Sequence, residues 1–341
     1  MPASLEELLA QIRDAVEDGD LEAAHQHLGT AETLAKGEHP GLLHVKGLVA
    51  WAEGDLEHAA GFLLQATDLK PSDPAIWLDA AELLASVPDA DLGEAESLVR
   101  ELLERTDLAA QARDEGHIML ANIRLEDDDP EEALEVLGEV KTLRETTVYR
   151  TVHATALFAL GRTDAAIAEL ESAVEDEPDE SELRYQLGVF KQQAGDEVGA
   201  REAFLRVLAM DRADDPEVDA EITYAEAQQL RGEFEDVLEE LPDPIMKRLA
   251  GAPITVQTRP TSAQVELGID PRSVVAFEGK PRTDDDDEAE LTRIVLMRNL
   301  LLEVIDDDDD IPEVFVDHLL AEMRRFFGLE VLAFATGEDG E

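Results

Sequence analysis

Toward its end the chain carries Val316–Glu330, VDHLLAEMRRFFGLE, in which Glu322 follows Ala321 and stands three places before Arg325. Positions 321 and 325 lie one helical turn apart, on one face. Two histidines there, with the glutamate between them, would hold zinc and aim a general base at its bound water. A methyl group cannot ligate, and a guanidinium repels a dication. The eight histidines are His25, His27, His39, His44, His58, His117, His153 and His318, and no two are four apart. The HExxH pattern is therefore missing from the whole chain. His318 and Glu322 do share a helix face, but with Asp317 they make at most a displaced, incomplete ligand set. Of the acid runs Asp284–Glu288 and Asp306–Asp310, the second continues into Ile311 and Pro312 without the central glycine of a calcium loop. No GxSxG, P-loop or GxGxxG occurs, so hydrolase triads and nucleotide fingerprints have no support.

The balance of charge narrows the partners. Asp and Glu number 81 against 28 Lys and Arg, a net charge of −53, and only 7 of the bases are lysine. Such a chain repels phosphate backbones and anionic membrane surfaces, which excludes nucleic acid and membrane as partners. The acidity fits a heavily solvated surface, adaptation to high salt, or a basic partner. There is no cysteine, hence no disulfide and no thiolate metal site. The acidic, helix-periodic start is not a signal peptide, and no apolar run is long enough for a membrane span. A soluble, cytoplasmic protein is the expectation.

The elements that carry these residues repeat. Leu43–Pro71 and Arg150–Pro178 share a small residue (Gly47; Ala154), a glycine seven later (Gly54; Gly161), then Ala59 or Ala166, Leu63 or Leu170, Ala66 or Ala173, and a closing proline. A third copy has Gly188, Gly195, Ala200 and Phe204, 34 residues after the second. Small residues let paired helices approach, the middle glycine turns the chain, and the proline stops the second helix. Weaker copies lie at Ser4–Ala35, Asp73–Thr106 and Ala110–Arg144. The pattern resembles the tetratricopeptide repeat family and implies an all-α superhelix of five or six hairpins over residues 1–213.

Composition changes at Asp214-Asp215-Pro216. A helix-period stretch, Val218–Leu241, precedes β-type runs at Ile254–Thr258, Ser273–Phe277 and Arg293–Met297. A last helix runs from near Pro312 to Gly328. Residues 214–341 thus read as a small α+β domain. Its order, its Gly268–Pro271 turn and the placing of Glu322, Phe327, Gly328 and Leu329 resemble the minimal zincin-type metallopeptidases. Ala321 and Arg325 stand in the histidine places, and Glu330 near that of the third ligand. The resemblance implies a metallopeptidase-like fold without its metal: a pseudoenzyme, with no cofactor, in which Glu322 is a relic of the general base and Arg324 and Arg325 act as late-helix cations.

The chain then reads as an interaction scaffold or adaptor. Its partner is a basic or amphipathic protein segment held in the repeat groove. First-helix residues His44, Lys46, Trp77, Arg150, His153, Arg184 and Lys191 are the binding candidates, although Trp51 and Trp77 also suit core packing. Two other readings remain: an active zinc metallopeptidase with non-standard ligands, and a salt-adapted structural or assembly factor.

Self-repulsion at −53 is relieved by screening. Scanning calorimetry across a KCl series is expected to show a rising melting temperature, steepest below about 1 M, where the Debye length falls to about 3 Å. A melting temperature indifferent to salt contradicts this expectation.

Overall fold

A computed structural model describes residues 3–35, 37–87, 92–215, 220–282, 289–305 and 311–328. The acid runs Asp284–Glu288 and Asp306–Asp310, together with Pro216, Val218, Leu329 and Glu330, lie outside the described residues. The chain divides into two compact units, Met1–Asp176 and Glu177–Glu341. Among the described residues there are seventeen helices and one three-stranded sheet.

The first unit is five helical hairpins: α1 (Leu5–Glu17) with α2 (Leu21–Leu34), α3 (Pro40–Ala52) with α4 (Leu56–Asp68), α5 (Ala75–Ser86) with α6 (Leu92–Glu104), α7 (Ala110–Glu126) with α8 (Pro130–Leu137), and α9 (Thr147–Ala159) with α10 (Thr163–Asp176). Each first helix packs on its own second helix and on the next first helix. Four of the turns share a rule: in the first, second, fourth and fifth hairpins a residue in the left-handed region follows the first helix, and an aspartate often caps the second. Gly54 takes φ +78°, and Asp55 accepts the His58 N–H. In the fourth hairpin Asp128 adopts φ +57° where the first, second and fifth use glycine, and Asp129 accepts the Glu132 N–H.

The small-residue places prove to be contact points. A Cβ on Gly47 would lie 2.6 Å from Leu63 Cγ, so α3 and α4 meet at that spot. Ala59, Leu63 and Ala66 are buried there, and so is Trp77, whose indole N–H donates to Pro71 O at 3.2 Å.

The second unit begins with a sixth hairpin, α11 (Ser181–Gln193) and α12 (Glu197–Asp214). Then come α13 (Tyr224–Glu240), α14 (Asp243–Leu249), β1 (Ile254–Gln257), α15 (Ser262–Glu266), β2 (Val275–Lys280), β3 (Glu290–Met297), α16 (Arg298–Val304) and α17 (Ile311–Phe327). The strand order is β1-β3-β2. β1 runs parallel to β3 with Ile254 beside Ile294, and β2 runs antiparallel with Phe277 beside Ile294. α13 packs on β1 and α17, and α17 packs on β2. Phe234 and Phe315 meet edge-on at 5.1 Å, and Phe277 sits edge-on to Phe326 and Phe327.

The helical array, the three strands and the last helix match the periodicities. α14, α15 and α16 were not expected. Each has seven residues or fewer, two turns at most, and α16 follows β3 without a loop, so neither period nor punctuation marks them. α13 starts at Tyr224 rather than at 218, because Thr223 and Glu226 form a capping box.

At Gly188 a Cβ would stand 2.5 Å from the Phe204 ring. Gly188→Ala is expected to destabilise the second unit by about 1–3 kcal/mol through overpacking. Gly61→Ala, where nothing lies within 4 Å, is expected to stabilise by about 0.5–1 kcal/mol. Thermal melts of the two variants check the contrast.

Candidate functional site

The zinc-like segment lies on α17, and its buried member is the glutamate. Glu322 is 6% exposed, whereas Ala321 faces solvent and Arg325 is half-buried. Both oxygens of the Glu322 carboxylate are engaged. Oε1 accepts the Phe277 N–H from β2 at 2.6 Å, and Arg325 donates Nε to Oε2 at 2.6 Å and Nη2 to Oε1 at 2.5 Å. A forked guanidinium on a carboxylate is among the stronger side-chain pairs. Burial works against the Arg325 charge, but Glu322 and then Asp270 outweigh it and raise its pKa. The charge of Arg325 is thus directed at Glu322. The Phe277 N–H belongs to an edge strand, and Glu322 closes that edge, helped by the Arg282 N–H donating to Phe326 O at 2.8 Å. With both oxygens engaged, the Glu322 carboxylate is given to joining α17 to β2.

His318 is half-buried on the same helix. Burial lowers its pKa, against the opposing pull of Asp270 and Asp317. Among the described residues no group of three or more His, Cys, Asp or Glu could hold a metal ion.

Asp270, in the Gly268–Pro271 turn, belongs to a cluster that sequence reasoning did not find. The Tyr185 hydroxyl donates to Asp270 Oδ2 at 2.8 Å, and the Arg272 N–H donates to Oδ1 at 2.8 Å. Arg272 spreads over α11 and α12. Its Nε and Nη2 fork onto Asp211 at 2.9 and 3.1 Å, Nη1 reaches Glu182 at 2.5 Å, and Nη2 reaches Ser181 Oγ at 2.9 Å. The guanidinium lies 4.7 Å over the Tyr185 ring. Burial pushes the Asp270 carboxyl and the Tyr185 phenol up, and Asp211 and Glu182 hold Arg272 charged against its own burial. These partners stand 61 to 91 residues apart, and no spacing rule links them.

The seven binding candidates prove to be engaged within the protein. In the first unit His44 is 1% exposed, with Nε2 2.6 Å from Asp79 Oδ2, and Trp77 is a core residue. Arg150 is buried and donates to Asp176 at 2.5 Å and to Glu145 at 2.7 Å. Lys46 turns toward second helices, 2.5 Å from Glu32 and 5.7 Å over the Phe62 ring. His153 stacks on Tyr149 and lies 3.7 Å from Glu169. In the second unit Arg184 donates to Pro178 O at 2.8 Å, and Lys191 is half-buried with an interaction of its own.

On α5 the first helices also carry acid. Asp79 and Glu82 lie one turn apart on α5, on the side that meets His44 of α3. Glu82 is exposed, yet surrounding protein, followed by the charge of Asp79, raises its carboxyl pKa.

Helical hairpins with a recurring small-residue contact and a recurring turn define a repeat protein. The chain carries tetratricopeptide repeats: family models of that description match residues 9–74 and 157–220. No curated protein matches the chain. Solved structures resemble it at low identity. MamA 41-end from Desulfovibrio magneticus RS-1 is 20% identical, covering 53% of this chain and 99% of that one, with a TM-score of 0.41. A tetratricopeptide repeat protein from Parabacteroides merdae ATCC 43184 is 17% identical over 72% and 96%, with a TM-score of 0.45. NprR in complex with its cognate peptide NprX is 14% identical over 70% and 74%, with a TM-score of 0.47. No described helix is long and apolar enough to cross a membrane.

Glu322→Ala leaves the Phe277 N–H without its acceptor and Arg325 without its counter-charge. The expected cost is about 2–4 kcal/mol, the lower part of that range allowing for the half-exposure of Arg325. Urea denaturation checks it. A loss under about 0.5 kcal/mol, the size of an ordinary surface change, contradicts the bridging role.

Proposed function

We propose that the chain is a protein-interaction adaptor whose repeats hold a basic or amphipathic segment of a partner protein. The carrying observation is Glu82 of α5, an exposed carboxylate beside Asp79, which is itself paired with His44 of α3. Lys46 and Arg150 pair with carboxylates of the array, so Glu82 offers negative charge and a ligand supplies positive charge. Repeat arrays of paired helices bind extended or helical segments along a concave face.

Residues 214–341 are proposed as a metallopeptidase-like module without enzyme activity, following the repeats at about residue 213. Support comes from the segment on α17, where Ala321 and Arg325 take the ligand places. There the acid that would serve as base instead fastens the helix to β2. A cytoplasmic setting accords with the composition.

Fluorescence anisotropy with a labelled amphipathic Lys/Leu peptide tests the adaptor reading on the full chain. Glu82→Lys is expected to weaken binding about fivefold, the weight of one partly exposed charge pair, and 1 M KCl to weaken it further. Affinity unchanged by both the variant and the salt removes this reading.

A further inference from the structure

The two edges of the sheet are finished differently. β2 is closed by α17 through Glu322 and Phe326. β1 pairs with no strand but β3 among the described residues. The Ile294 N–H donates to Pro253 O at 3.0 Å, so in this parallel pair residues 253, 255 and 257 point their peptide groups at β3. Those of Ile254 and Val256 point the other way, as an open edge.

Beside that edge lies a groove of about 400 Å³, walled by Leu238 of α13, Met246 and Leu249 of α14, Ala252, Ile254 and Ile294. Its walls are apolar, and Met246 is 36% exposed at the rim. One charged residue lines it, Lys247, which is exposed and has no ion-pair partner among the described residues; Arg248 follows it. In a chain with 81 acids and 28 bases, a groove whose described lining holds a cation and no carboxylate runs against the charge of the chain as a whole.

We propose that β1 and this groove form a second docking site, for an extended apolar segment of a partner protein that carries a carboxylate. The segment adds as a strand to β1, taking the Ile254 and Val256 peptide groups. One apolar side chain fills the groove and a carboxylate meets Lys247. The site is separate from Glu82 of α5 and selects the opposite charge.

The probe is a fluorescein-labelled peptide, GEVLVFEG, with GKVLVFKG as its charge-reversed control, measured on the full chain. Binding of the acidic peptide is expected, with at least about fivefold preference over the basic one. Lys247→Glu should abolish the preference, and Met246→Asp should weaken both peptides about tenfold or more. Both side chains are exposed, so neither variant threatens the fold. Hydrogen exchange should slow at Ile254 and Val256 in the complex. Glu82→Lys is expected to leave this binding unchanged, which separates it from the adaptor reading. The proposal is overturned if neither peptide binds at about 1 mM, or if binding ignores Lys247→Glu and Met246→Asp. It is equally overturned if binding requires removal of residues 329–341, or if a Met246-dependent dimer covers the groove. Those two results would assign it to the chain's own end or to a second copy.

Discussion

Scarcity of positive charge is the constraint on which the rest of this structure depends. With 28 bases among 81 acids, a buried or half-buried cation readily finds a carboxylate, and the fold uses its cations as internal fasteners. Arg259 holds Asp215 and Glu303, with Asp215 also accepting from Asn299; Arg124 reaches Glu96, Asp127 and Glu132. Arg272 grips the sixth hairpin, and Arg150 ties Glu145 to Asp176. Arginine suits this work because its planar fork can engage two or three acceptors at once, and arginines outnumber lysines three to one here. Such pairs specify arrangement more than they add stability, since desolvation offsets much of the attraction. The surplus of acid is left to the surface.

The same constraint explains why candidate recognition residues have partners within the protein. Cations on first helices looked available for a ligand because helix membership can be read along the chain. The direction of a side chain around the helix, and the carboxylate it meets, cannot. Lys46 turns to Glu32 and Phe62 on second helices, and Asp79 meets His44 of α3.

On α17 a residue pattern suited to chemistry does mechanical work. Glu322 closes the β2 edge and balances Arg325, so one side chain joins helix to sheet and neutralises its neighbour. At the opposite edge β1 has no such closure among the described residues, and the groove beside it is apolar but for Lys247. A sheet with one sealed edge and one open edge has a direction for strand addition, which a symmetric pair of edges would lack.

The sequence by itself determined the repeat array, because small residues, turn glycines and apolar periods recur at a fixed interval and each encodes a local event. It also determined the three strands and the last helix, whose periods are unambiguous, and the absence of paired zinc histidines. It did not reveal α14, α15 and α16, which are too short to carry a period. Nor did it reveal Tyr185, Asp270 and Arg272 as one cluster, since 85 residues separate the phenol from its acceptor. The roles of Glu322 and Arg325 were half legible: the missing ligands could be read from residue type, but the bond to Phe277 could not. Tertiary structure alone decided which carboxylate each cation meets and which strand edge stays open. Hydrogen bonds and ion pairs act over about 3 Å in space, whereas sequence patterns report only neighbours along the chain.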